Sequence, residues 1–171
     1  MIRPVILILA LLGGQPAFAQ YYVRGNTVDD LTQGLTWLRC SVGQRWQNET
    51  AQCTGEAARL NFEEIEQVIF QANEQLGGTW RLPSREELKQ LICATCGQTI
   101  EDPEIEREEN APVAAKIDPI VFPNTAAEPY WSSTKNWIAP RNRWSVNFMT
   151  GNSYGRFFPE QRLAVRLVQE R

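Results

Sequence analysis

The sequence predicts an α+β domain, and three observations carry that prediction. Amphipathic helices fall in the first part of the chain, short alternating strands separated by turns fill the last third, and the two kinds of element are segregated rather than interleaved as βαβ units. Setting a leader aside, about 150 residues remain, enough for one domain with a single core.

The first nineteen residues, MIRPVILILALLGGQPAFA, read as that leader. Arg3 supplies the basic start, Val5 to Leu12 an apolar run, and Ala17 and Ala19 the small residues around Phe18 that a signal peptidase requires. Cleavage is expected after Ala19, leaving residues 20–171 as the exported domain in the periplasm or outside the cell. Gln20 rather than Cys follows the cut, which argues against an acylated N-terminus. No later stretch approaches the roughly 20 apolar residues of a membrane helix, so no membrane insertion is expected after cleavage.

Within the domain, Gly34 to Arg39 reads as a strand ended by Cys40 and a glycine-containing loop. From Asn61 to Leu76, the residues Phe62, Ile65, Val68, Ile69, Ala72 and Leu76 recur at helical spacing, and Gly77-Gly78 stops the helix. WRLPSREEL follows, residues 80–88. Pro83 keeps Leu82 extended, and Ser84 with Glu87 forms a capping box, so an extended segment hands over to a helix through Leu88, Leu91 and Ile92 that ends near Gly97. Residues 101–118, EDPEIEREENAPVAAKID, combine two prolines with a dense acidic run and predict a long exposed loop. Its carboxylates lack the ligand order of an EF-hand, so no calcium site is assigned. Short strands are then expected at Tyr130–Thr134, Trp144–Met149 and Leu163–Val168, with a turn at Gly151-Asn152.

All four cysteines lie in the exported part, where disulfides are the default, and three pairings are possible. Local spacing favours Cys40–Cys53 and Cys93–Cys96. A redox role for the second pair is disfavoured, because the negative end of a preceding helix raises a thiol pKa. Only that pair has zinc-like spacing.

Charge is unevenly placed. Residues 20–123 hold 9 basic and 17 acidic side chains, 9 − 17 = −8, whereas residues 124–171 hold 7 and 3, 7 − 3 = +4. The acidic balance excludes whole-molecule attraction to nucleic acid, while the basic C-terminal third suits an acidic ligand. There are no histidines, which removes Ser-His-Asp and Cys-His catalysis and His-based metal sites. No enzyme activity and no cofactor are expected. In the basic third, the loop from Lys135 to Arg143, with Trp137, Arg141 and Arg143, and the neighbouring turn from Gly151 to Arg156, with Tyr154 and Arg156, form the candidate ligand surface, because aromatic faces stack on rings or cations and arginine binds anions bidentately. Trp131 and Trp144 alternate with polar residues and are expected in the core.

GLTWLRCSVGQRW, WRLPSREEL, FPNT, YWSST, WSVNFMTG and RLAVRLV, in that order, resemble the bacterial DUF1566 family, also known by the C-terminal domain of the Legionella collagen-like adhesin. Arg81-Leu82-Pro83-Ser84 is similar to a segment of the formylglycine-generating-enzyme superfamily. The resemblance therefore implies a C-type-lectin-like fold, two helices packed on a twisted antiparallel sheet with long loops presenting a ligand. It does not carry formylglycine-generating activity, since no cysteine follows Cys96, nor calcium-dependent sugar binding, since the Glu-Pro-Asn and Trp-Asn-Asp motifs are missing. It implies an exported binding module for a glycan or protein ligand, with a structural or assembly component of a cell-envelope complex as the alternative and an enzyme using paired carboxylates behind both.

Overall fold

In the computed structural model, residues 20–93, 95–96 and 113–171 are described. The expected leader, and most of the acidic loop 101–118, lie outside them. The first sheet is built from both ends of the domain: β1 (Tyr21–Arg24), β2 (Thr27–Asp30) and β3 (Leu35–Leu38) form a meander, and β11 (Val168–Glu170) closes against β3. Every pairing in it is antiparallel. Gly25-Asn26 makes the β1–β2 turn, a two-residue connection that needs a positive φ, supplied by Gly25 at 55°.

A small hairpin, β4 (Arg45–Gln47) with β5 (Gln52–Thr54), follows and is fastened by the Cys40–Cys53 disulfide. After β6 (Arg59–Leu60) come α1 (Phe62–Leu76) and α2 (Arg85–Gln90). The second sheet has the order β6-β10-β7-β8-β9, with β7 (Pro129–Lys135), β8 (Arg143–Asn147), β9 (Ser153–Phe157) and β10 (Leu163–Ala164). It is antiparallel except where β10 meets β7.

The mixed α+β class is as expected, and the described residues hold the two expected helices, but there the single sheet is replaced by three, and six described strands precede the first helix. The last stretch, Leu163–Val168, is not one strand. Leu163–Ala164 belongs to the second sheet and Val168 begins the strand that joins the first. α2 also stops at Gln90, well short of Gly97, because the Cys93 backbone N–H donates to Lys116 O rather than back into the helix.

Alternation places the core. Tyr130 and Trp131 are adjacent in β7 and both fully buried, so they point to opposite faces of the second sheet. Tyr130 joins Val28, Trp37, Leu88, Phe122, Val146 and Phe148, while Trp131 joins Ile65, Trp80, Leu82, Val165 and Leu167 beneath α1. The joint at residues 80–88 serves both. Trp80 and Leu82 face the second cluster, and Arg81 between them turns outward to Glu87 at 2.8 Å and Glu170 at 2.6 Å. Ser84 and Glu87 cap α2 reciprocally, and Asn61 and Glu64 cap α1 in the same way.

Arg166 crosses the gap between the two sheets. It is fully buried, donates to Leu38 O at 2.8 Å, to Arg39 O, and to Thr125 Oγ1 at 2.7 Å, and lies 4.9 Å from the Phe122 ring centroid. Burial pulls its pKa down to about 10. Among the described residues no carboxylate pairs with it, so backbone carbonyls and hydroxyls accept hydrogen bonds from its two terminal nitrogens, while its Nε has no partner.

Candidate functional site

The connection between β7 and β8, residues 136–142, carries the densest set of candidate residues. Its shape is set by Asn136, which is buried. The Asn136 Oδ1 accepts from Ile138 N and Ala139 N, both at 3.1 Å, and its Nδ2 donates to Gly155 O on β9 at 2.7 Å. Asn142 N donates to Ala139 O at 2.8 Å, closing the turn. Asx turns of this kind replace backbone pairing where the chain must fold sharply outward.

Gly155 makes the arrangement possible by lacking a side chain. A Cβ there would stand 2.7 Å from Asn136 Nδ2 and 3.0 Å from the Trp144 ring. Trp144, half-buried rather than a core residue, lies against this glycine and under the Arg85 guanidinium at 4.4 Å.

The result is a braced loop whose tip is apolar and exposed. Trp137 is 84% exposed and Ile138 72%. Beside them Ala139, Pro140, Arg141, Asn142 and Phe158 line a recess whose accessible surface is almost all apolar. Exposed apolar side chains grouped on one loop beside a guanidinium suit an interaction surface.

Of the residues expected at the ligand surface, Trp137 and Arg141 are exposed on this loop. Arg143 is partly buried and braces it, donating to Pro140 O at 3.1 Å and lying 5.6 Å from the Phe62 ring centroid. Tyr154 and Arg156 are not in a turn but on β9, on either side of Gly155, and Arg156 stacks over Tyr154 at 4.9 Å. Hydrogen bonds from Thr150 and Asn152, with Arg156 nearby, hold the Tyr154 hydroxyl below the ordinary tyrosine value. Alternation aims these two side chains to the face opposite Gly155, away from Asn136. Trp137 and Arg141 thus form one group, Tyr154 and Arg156 a second.

The recess between this loop and Phe158 is not predicted by the sequence, nor is the bracing by Asn136, Asn142 and Gly155. Asn136 ahead of a Pro-containing loop carried a readable Asx-turn signal. Both expected disulfides are present, Cys40–Cys53 and Cys93–Cys96. Among the described residues no group of three or more acidic or cysteine side chains is arranged to hold a metal ion, and no helix is long and apolar enough to cross a membrane.

A small disulfide-bridged α+β domain whose strands project a braced apolar loop is the class that this fold and surface define. More specifically, the chain belongs to the family of the Lcl C-terminal domain, whose model matches residues 26–169 and so takes in both helices, the loop and the described strands apart from β1 and the last residue of β11. Compared with curated proteins and with solved structures, the chain matches none.

Proposed function

We propose that this domain is an exported, non-catalytic recognition module of C-type-lectin-like type, and that the 136–142 loop is its ligand-facing surface. The observation that carries the reading is the braced tip: one buried asparagine, donating one hydrogen bond and accepting two, fixes a loop whose largest apolar side chains, Trp137 and Ile138, stand in solvent. A pre-ordered loop loses less entropy on binding than a floppy one. Two helices on antiparallel sheets, with a long loop leaving one sheet, agree with the lectin-like plan implied by the joint at residues 80–88. Family membership agrees with a surface or adhesin-like module.

The ligand is an acidic glycan or a protein with an acidic surface. Lys135 and Arg141 flank the tip, and the C-terminal third carries the positive balance of an otherwise acidic chain. Isothermal titration against a sulfated polysaccharide, its desulfated counterpart and candidate surface proteins tests this. Affinity for the acidic member should fall with added salt, and Trp137→Ala and Arg141→Ala should each weaken it by about tenfold or more with an unchanged melting temperature. Binding that survives both substitutions places the surface elsewhere.

A further inference from the structure

The apolar, basic face around the loop has a complement on the same chain. On α1, Glu63, Glu66, Gln67, Phe70 and Gln71 line a shallow groove, and their spacing of three and four puts them on one outward stripe. Phe70 is 67% exposed there, off the buried face that Ile65 anchors. Glu63 and Glu66 are exposed, and neither pairs with a cation among the described residues. One face is therefore an aromatic side chain in acidic surroundings. The other is an apolar recess beside Arg141.

The two faces adjoin without satisfying each other. Phe62, the first residue of α1, lies under Arg143, and its backbone N–H donates to Pro159 O next to Phe158. The outward stripe of α1 nevertheless points to solvent, and within the chain no ion pair links Glu63 or Glu66 to the loop.

We propose that these faces bind each other between copies of this chain, with Phe70 of one copy entering the recess of Ala139, Pro140 and Phe158 on another while Glu63 and Glu66 meet Arg141. The inference rests on the loop being a recognition surface and names a second copy as its protein partner. Each copy carries both halves, so the contact either repeats head to tail, closing as a ring or extending as a chain, or is made twice about a two-fold axis. Burial of Phe70 and of the recess supplies the driving force. The opposite charges set orientation and suppress wrong partners.

Sedimentation velocity over a range of protein concentrations, at low and high salt, tests this. The expected result is reversible association that weakens with salt. Phe70→Ser should abolish it, and Glu66→Lys or Arg141→Glu should each weaken it by about tenfold or more. Combining Glu63→Lys and Glu66→Lys with Arg141→Glu in one chain should restore association, because both new lysines then meet the new glutamate. Near-ultraviolet circular dichroism shows that each variant remains folded. A monomer at every concentration overturns the proposal, as does an oligomer that these substitutions leave intact or a charge swap that fails to restore it. A wild-type monomer that still binds an acidic ligand through Arg141 removes the second copy as partner and leaves the recognition reading standing.

Discussion

Replacing Asn136 by alanine separates a loop that is braced from one that merely protrudes. The substitution removes three hydrogen bonds, to Gly155 O at 2.7 Å and from Ile138 N and Ala139 N at 3.1 Å. Each neutral bond is worth about 1 kcal/mol net, which sets an upper figure near ~3 kcal/mol. Ile138 is exposed, so its freed N–H regains water, whereas Gly155 O keeps only a 3.4 Å contact from Asn142 Nδ2. The expected loss is then about 2 kcal/mol, or a fall in melting temperature of about 4–8 °C for a domain of this size. Hydrogen exchange should quicken at the Ile138 and Ala139 amides while those of β7 stay protected, because the damage is local. Ligand affinity should fall although Trp137 and Arg141 are untouched, since the loop must now be ordered on binding. Asn136→Asp keeps the acceptor but turns a carboxylate oxygen toward Gly155 O, so it should destabilise at least as much at neutral pH. An Asn136→Ala protein with unchanged melting temperature and unchanged exchange at residues 138 and 139 would refute the bracing argument.

The remaining predictions concern the scaffold. Removing the Cys40–Cys53 bridge, whose cysteines are 13 apart, should cost about 3 kcal/mol, and removing Cys93–Cys96, 3 apart, about 2 kcal/mol, because the longer loop restricts the unfolded chain more; denaturation of the two double-alanine variants checks the order. Arg166→Ala should cost about 3 kcal/mol or more by emptying a buried site and stranding the Leu38 and Arg39 carbonyls, and Arg166→Met should cost less because it refills the volume; urea midpoints decide. The Arg81 guanidinium, assisted by the Ser84 backbone N–H, holds the Glu87 carboxyl below the usual carboxylate range against the opposing effect of burial. A depressed folded pKa contributes stability that is present above the unfolded value and lost as pH falls through the folded one. Melting temperature should therefore drop as pH falls below the usual carboxylate range, and Glu87→Gln should flatten that part of the profile.

What could be read in the sequence was chemistry that closes over a few residues. The joint at 80–88 is such a case: a proline and a capping box act within nine residues, and the structure keeps the cap and starts a helix there, although that helix stops at Gln90. The disulfide pairs and the span of α1 were legible for the same reason. The β1–β2 hairpin carried a usable signal too, the Gly25-Asn26 turn between alternating residues, and was passed over. Leu163–Val168 shows where local reading ends. Its alternation fits one strand, yet Arg166 has to place its guanidinium on carbonyls of Leu38 and Arg39, more than a hundred residues earlier, and the chain leaves one sheet for the other there. A long-range requirement of that kind has no periodicity.

The candidate site divides along the same line. Trp137 and Arg141 were legible because a tryptophan and a cation in a Pro-containing loop have no strand or helix face to bury them. Tyr154 and Arg156 were misplaced because Gly151-Asn152 reads as the start of a longer turn, whereas the turn ends at Asn152 and β9 pairs with β8 from Ser153 onward. Phe70 is the most instructive position. It stands out of phase with Ile65, Val68, Ile69 and Ala72, so the helical pattern alone assigns a large aromatic to solvent, and the structure leaves it exposed. Exposed apolar side chains contribute little to folding and carry a risk of aggregation. Others, such as Ile120 and Leu76, stand singly, but Phe70 lies on a helix among carboxylates, and Trp137 and Ile138 lie on a loop braced by Asn136 and Gly155 beside a guanidinium. Neither helix propensity nor core packing calls for that placement, and a surface that is covered when the protein works explains both patches at once.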